Sequence, residues 1–374
     1  MRYGIAAYGS VSSAGTTPAA AAAAYADAEI TWRRDTATGL PVYPVAALPE
    51  VPALSAFADD REIDRAGLLA LHAARQAVAG AGWEAENFTV LVGCSRGPTV
   101  SWEATHARHL SGEGLPVRTS PRTTLGSLAF AVGDYFGTTS PTAGLSVTCS
   151  SGLHALQHGM ALLSAGFAGR VLVGGAEAPL TAYTLRQMEA LRVYAAMPPP
   201  TLPACRPLAH PPSGMVLGEG AAFLAVEALH DGHACELLGI GAARERAGSA
   251  TGISPDGDAL QAAMRQARTM AGSDPDVVIA HAPGTARGDA AERTAIRAVF
   301  GHSLPLVTSL KWATGHTFGA SGPLALADAL EMLRTGKVYL PPYLDAPATR
   351  TPRRVMVNAT GFGGNAVSVM VGLR

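Results

Sequence analysis

The feature that most limits what this chain can fold into is a junction it repeats. A short apolar, β-type run stops at small or polar residues, and a run with helical spacing follows. At 145–148 such a run ends directly at Cys149, after which Leu153, Leu156, Met160 and Leu163 recur at helical intervals up to Gly166. The run 277–280 ends at His281, and 306–310 ends at Lys311, ahead of His316 and a helix predicted over about 323–334. The run 170–173 stops at Gly174-Gly175, and 355–371 makes two β-type stretches joined through Gly361-Phe362-Gly363-Gly364. Further strands are predicted at 4–11, 88–92 and 221–226, and helices at 65–79 and 258–270; 41–56 and 195–212 read as proline-spaced connections. Strands alternating with helices in this way imply a mostly parallel sheet system covered by helices.

Length and composition narrow the class. A chain of 374 residues holds two average domains or one unit of two similar halves. With 48% hydrophobic and 15% charged residues it has the balance of a compact α/β enzyme and not of a disordered chain. A net charge of −1 gives no electrostatic case for nucleic acid or an anionic membrane. Cys94, Cys149, Cys205 and Cys235 are scattered with no CxxC pair, so neither a disulfide framework nor a zinc site follows from them. The opening residues lack the apolar core of a signal peptide, and the alanine run 19–24 is too short for a membrane span. A cytoplasmic protein is expected.

A cysteine placed where a strand hands over to a helix is chemically loaded. The first helical N–H groups lack intrahelical partners and the helix dipole puts partial positive charge there, so Cys149 is expected to lean towards thiolate. Ser150, Ser151 and Gly152 are small enough to let a bulky thioester reach the sulfur. The other three cysteines lie in ordinary loops and read as small buried residues. His72, His109 and His233 carry no motif and read as structural or surface histidines. His154 and His158, spaced i, i+4, could mimic a metal pair but have no third ligand in register.

The segment Val147-Thr148-Cys149-Ser150-Ser151-Gly152 resembles the active-site segment of β-ketoacyl synthases, T-A-C-[AS]-[AS]-G. Gly174-Gly175-Ala176-Glu177 resembles that family's next strand. Arg206-Pro207-Leu208 and Gly218-Glu219-Gly220 resemble its R-P-F-D and G-E-G elements, with 209–214 poorly kept between them. His281-Ala282-Pro283-Gly284-Thr285 stands where the family has H-G-T-G-T, with Asp289 and Glu292 following at the family's spacing. Lys311 and Gly315-His316-Thr317-Phe318-Gly319-Ala320-Ser321-Gly322 resemble the second histidine motif, and Gly361-Phe362-Gly363-Gly364-Asn365 the closing loop. The matches run in the family's order across essentially the whole chain.

The resemblance implies an α/β thiolase-like fold. Two similar halves, 1–228 and 229–374, each with a five-stranded mixed sheet, would form a layered α-β-α-β-α sandwich, the first supplying Cys149 and the second the histidines and closing loop. It implies a decarboxylative Claisen condensation in fatty-acid or type II polyketide-like biosynthesis. Cys149 would take an acyl group from an acyl carrier protein or coenzyme A. His281 and His316 would stabilise the enolate left by malonyl decarboxylation, where each donor is worth roughly a hundred- to a thousand-fold in rate. Lys311 would hold the cluster electrostatically, and the N–H groups of Cys149 and Phe362 would form the oxyanion hole, Phe362 also gating the acyl pocket. Thr285 and Thr317 would bind the phosphopantetheine arm, with Asp289, Glu292, Gly363 and Gly364 in support. A homodimer, or a heterodimer with a related ketosynthase or chain-length-factor subunit, is implied. No metal or nucleotide cofactor is: 361–364 is too short for a dinucleotide fingerprint and a strand follows.

Two positions depart from the family. Pro283 replaces a threonine and offers neither N–H nor hydroxyl, leaving Thr285 to do more. Ala325 replaces a glutamate that pairs with the lysine, and Asp328 is the next acidic residue on that helix. These keep open a non-condensing acyltransferase or a chain-length-factor-like partner subunit. From another reaction class, Gly93-Cys94-Ser95-Arg96-Gly97 matches the G-x-S-x-G elbow of serine hydrolases, but Pro98-Thr99-Val100 is not expected to supply the helix such a motif needs.

Overall fold

The computed structural model describes residues 2–84, 87–246, 252–345 and 351–374. Ten of the strands form one sheet: β1 (Tyr3–Ser12), β2 (Thr89–Gly93), β3 (Thr142–Leu145), β4 (Arg170–Glu177), β5 (Gly220–Ala228), β6 (Cys235–Arg244), β7 (Val277–Ile279), β8 (Leu306–Thr308), β9 (Arg354–Gly361) and β10 (Asn365–Leu373). Their order is β8-β7-β9-β10-β6-β1-β5-β4-β2-β3.

That order is one pattern written twice. In the first half β1, β5 and β4 are successively antiparallel, and β4, β2 and β3 are parallel. In the second half β6, β10 and β9 are antiparallel, and β9, β7 and β8 are parallel. The first five-stranded unit runs from Tyr3 to Ala228 and the second from Cys235 to Leu373. They are joined edge to edge by three residue pairs between β1 and β6, Tyr3 with Leu237, Gly4 with Glu236 and Ile5 with Cys235.

Helices close both faces. We label α1 (Arg65–Ala81), α2 (Ser151–Ser164), α3 (Asp258–Ala271), α4 (Ala286–Phe300) and α5 (Ser321–Thr335). α1 covers β1 and β5, and α3 covers β6 and β10, while α2 and α5 pack on each other and on strands of both halves. α5 is buried along nearly its whole length from Ser321 to Leu333, as a helix enclosed by packed strands must be, whereas α2 buries one broad face and leaves His158, Ala161 and Ser164 exposed. Leu153, Leu156, Met160 and Leu163 of α2 share one core with Leu326, Leu330 and Leu333 of α5. Each such side chain contributes roughly 1.5–3 kcal/mol on burial.

Four local expectations are corrected. The strand before Cys149 is 142–145, not 145–148, and it is a half-exposed edge strand. Residues 146–150 instead make a tight turn with Thr148 at φ 50°, a left-handed conformation rare for a β-branched residue. The proline-spaced connection 41–56 contains the start of a helix, Pro52–Arg61, because a proline at the first helical position gives up an N–H that had no partner there. A helix does follow the G-x-S-x-G match, Thr99–Leu110, but it starts beyond Ser95 and Pro98 instead of directly behind the serine. The predicted helix 323–334 begins two residues earlier, at Ser321.

Candidate active site

The nucleophile candidate sits on the turn that enters α2. Ser151 Oγ accepts the Val147 N–H at 2.9 Å and Ser150 Oγ donates to the Val147 carbonyl at 2.9 Å, so hydroxyl side chains hold the turn shut. Glycines let the buried helix come close. A Cβ on Gly93 would lie 2.3 Å from Gly152 N, and one on Gly152 would lie 2.2 Å from Pro323 Cγ at the start of α5. Cys149 is therefore delivered to the plane where the two halves meet.

The second half supplies the facing groups. His281 follows β7, and His316 is fixed by its own N–H donating to the Val216 carbonyl at 2.7 Å. The two imidazoles stand edge-on, centroids 5.1 Å apart and planes at 85°, and His316 meets Phe318 at 5.4 Å. Cys149, His281 and His316 line one cavity of about 650 Å³, together with Thr285 and Phe362. Burial, then the neighbouring Lys311 cation, holds both imidazoles well below their usual pKa, so both are neutral near pH 7. Neutral rings can each present an N–H without carrying a charge.

Lys311 is buried under this pair and donates from Nζ to the His281 carbonyl. Burial lowers its pKa, while Glu292 and Asp289 oppose that. Glu292 accepts the His281 and Ala282 N–H groups at 2.9 and 2.7 Å and the Asn358 amide at 3.0 Å. Asp289 accepts the Leu208 and Gly284 N–H groups at 2.8 and 3.0 Å, and burial pushes its carboxyl up to about 6. Both acids thus brace the loop that carries His281. Asp328 does not take the place of the missing glutamate: its carboxylate accepts from Tyr25 at 3.4 Å, and Lys311 relies on the His281 carbonyl and the α4 acids instead.

Cys149 departs from expectation in one respect. Its thiol is pushed up to about 12, first by burial and second by the Glu177 carboxyl, against lowering by Lys311, its own N–H and Arg96. A helix N-terminus is worth at most ~2 kcal/mol to an anion, and desolvation outweighs it here. The resting group is a thiol.

The remaining predicted residues divide. Thr285 opens α4 with its hydroxyl free of any capping bond, at the cavity wall. Thr317 is 1% exposed, its hydroxyl lies 3.1 Å from Ser321 Oγ, and it does not reach the cavity. Phe362 is 39% exposed on the loop between β9 and β10, where Gly363 and Gly364 take φ of 82° and 79°. A Cβ on Gly361 would lie 3.2 Å from Cys149 N, so this loop closes directly on the cysteine turn. Ser95 gives its N–H to Glu177, and its hydroxyl meets no histidine among the described residues. His154 and His158 bond main-chain carbonyls at 3.1 and 2.8 Å.

Sequence reasoning missed two residues. Ser321 Oγ is 3.0 Å from His316 Nδ1. Glu177, fully buried, accepts from Ser95 N and from Gly319 N at 3.3 Å, keeps its other oxygen unpaired, and has its carboxyl pushed up to about 7 by burial. Both lie inside motif segments, where the chemistry of the neighbours drew attention away from them.

A doubled five-stranded fold with a buried cysteine facing two neutral histidines across the junction defines a thiolase-type acyl-transfer architecture. The chain belongs to the β-ketoacyl synthase family, a family of acyltransferases: its N-terminal domain model matches residues 52–232 and its C-terminal domain model residues 234–346. Nodulation protein E of Rhizobium meliloti is 30% identical over 355 residues, covering 85% of this chain and 86% of that protein. The 3-oxoacyl-[acyl-carrier-protein] synthase 2 of Staphylococcus aureus is 29% identical, covering 83% and 82%. The chain superposes with TM-score 0.86 on the ishigamide ketosynthase/chain length factor (22% identity, covering 100% and 99%) and on a Burkholderia phymatum β-ketoacyl synthase (24% identity, same coverage).

Proposed function

We propose that the chain condenses a Cys149-bound acyl group with a malonyl thioester in fatty-acid or type II polyketide-like biosynthesis. The observation that carries this is the convergence of Cys149, His281 and His316 on one cavity with Lys311 beneath. As the Cys149 sulfur attacks an acyl thioester, its proton goes to the departing pantetheine thiolate, with a neutral imidazole as relay. The N–H groups of Cys149 and Phe362 bind the transient oxyanion. Malonyl thioester then enters past Phe362 and loses carbon dioxide. His281 and His316 donate to the enolate oxygen, and its carbon attacks the acyl-enzyme to release Cys149 and the β-ketoacyl thioester. These steps use no metal or nucleotide.

The donor fits a phosphopantetheine arm on an acyl carrier protein, with Thr285 as its contact, since Pro283 can offer none. One solved neighbour is an acyl-carrier protein in complex with its ketosynthase, and others pair a ketosynthase with a chain length factor. A homodimer or such a heterodimer is favoured by the open edge of β3, flanked by exposed Leu125 and Phe130. No helix among the described residues is long and apolar enough to cross a membrane, which suits work in the cytoplasm.

The test is carbon dioxide release from malonyl-carrier protein, with intact-mass detection of the acyl adduct in wild type and Cys149→Ala. Release with an adduct lost in the variant supports condensation. An adduct without release turns the protein into a plain acyltransferase, and an adduct that survives in the variant moves the nucleophile elsewhere.

A further inference from the structure

Far along the chain from the cysteine and histidine motifs, the sequence Glu227-Ala228-Leu229-His230-Asp231-Gly232-His233 bridges β5 to β6 and so the two halves. One carboxylate oxygen of Glu227 and one ring nitrogen each of His230 and His233 lie within 4.8 Å of one another. Glu227 Oε1 is 3.2 Å from His230 Nε2 and 3.4 Å from His233 Nε2. Donors about 2.0–2.2 Å from a tetrahedral ion stand roughly 3.3–3.5 Å apart, so these are ligand spacings. They are long for a charge-assisted N–H···O pair, which closes to about 2.7–2.9 Å.

The site is also built. The His233 side chain is 2% exposed and its Nε2 is buried without a hydrogen-bond partner. Its Nδ1 accepts the His230 N–H at 3.1 Å and lies 3.3 Å from the His230 carbonyl, so binding a metal through Nε2 requires the ring to move its proton to Nδ1 and turn it to that carbonyl. Its ring rests on Gly4 of β1, where a Cβ would come within 2.4 Å. Arg170 donates from Nε to Glu227 Oε2 at 3.0 Å, fixing the carboxylate with Oε1 towards the histidines. That cation lowers the affinity for a metal without filling the ligand position. His230 Nδ1 accepts the Gly232 N–H at 3.1 Å, and its 59% exposed side chain can give that contact to water when it takes the metal-binding tautomer.

We propose that Glu227, His230 and His233 form a three-ligand site for zinc or a similar borderline divalent cation, with water in the fourth position. Arg374 donates to the His230 carbonyl at 2.8 Å and Leu229 N donates to the Arg2 carbonyl at 3.0 Å. A cation there would clasp the crossover between the halves together with the segments that flank it.

The test uses untagged full-length protein, stripped with a chelator and alkylated at Cys149 by iodoacetamide so that the cavity thiol takes no metal. Zinc titrated by calorimetry is expected to bind with one equivalent per chain. At zinc a hundredfold above Kd, Tm should rise by roughly 2–5 °C. His230→Gln and His233→Gln should each weaken binding by about tenfold or more. A metal-free melting curve for His230→Gln that matches wild type shows loss of a ligand instead of loss of fold. No stoichiometric zinc in the wild-type chain, or equal affinity in His230→Gln, overturns the site.

Discussion

The imidazole of His316 is held from behind by Ser321, whose hydroxyl lies 3.0 Å from Nδ1 and also accepts the Thr317 N–H at 3.1 Å. With its lone pair on Thr317, the hydroxyl is free to donate to Nδ1, which leaves the ring proton on Nε2. The same serine therefore sets both the orientation and the tautomer of a ring that must donate to an enolate. Ser321→Ala is expected to lower malonyl decarboxylation by about tenfold in kcat with little change in KM. It also orphans the buried Thr317 N–H, at a cost of about 1–3 kcal/mol in urea unfolding. Ser321→Thr should restore most of the rate. A purely structural serine would lower stability and leave kcat untouched.

His281 and His316 are neutral for the same reason, burial beside a buried lysine. Two equivalent donors predict two similar losses. His281→Ala and His316→Ala should each reduce carbon dioxide release by roughly a hundred- to a thousand-fold. Acylation of Cys149, followed by intact mass, should fall far less in at least one of them, because acyl transfer leans on main-chain N–H groups. Equal collapse of both steps in both variants would mean that the rings hold the cysteine and not the enolate.

How much of this was legible in the sequence follows from the kind of interaction involved. The doubled α/β architecture was readable because apolar runs and helical spacing are local, and the motifs put Cys149, His281, Lys311 and His316 in named places. The boundary at Cys149 was not, because Thr148 turns the chain with a left-handed φ that its residue type does not advertise. Nor was the protonation of Cys149: the helix start is a local signal, but the burial that defeats it comes from side chains far away in sequence, among them Val42, Leu185, Met188, Leu217 and Phe318. Lys311 shows the same limit. Sequence spacing offered Asp328, whereas the fold gives that carboxylate to Tyr25 and gives the lysine a main-chain carbonyl. Thr317, one residue from a catalytic candidate, faces into protein.

Gly152 is required by close approach. A methyl group there would meet Pro323 Cγ at 2.2 Å and the Gly319 carbonyl at 2.7 Å, and neither neighbour is a flexible side-chain end. Gly152→Ala should destabilise the protein by about 1–3 kcal/mol or more and displace Cys149 as α2 moves away from α5. Urea unfolding and the rate of acyl-adduct formation measure the two effects. A variant with wild-type stability and rate would show that the helices are not packed this tightly.

Glu177 links folding to the reactivity of the cysteine. Burial raises its carboxyl from an ordinary 4.5 to about 7, so between those values the folded protein holds a proton that the unfolded chain has released. The unfolded state then binds fewer protons, and stability must fall as pH rises from about 4.5 through about 7 and level off above. Glu177→Gln keeps the acceptor for Ser95 and Gly319 but cannot ionise. Its stability relative to wild type should therefore grow between about pH 5 and about pH 8, by up to ~3 kcal/mol. The same ionised carboxylate is the second cause that keeps the Cys149 thiol high. Removing it should move the pH profile of inactivation by iodoacetamide to lower pH, with faster alkylation at every mildly alkaline pH. A profile that does not move, in a variant whose stability does gain on wild type, would place Glu177 too far from the sulfur to matter to it.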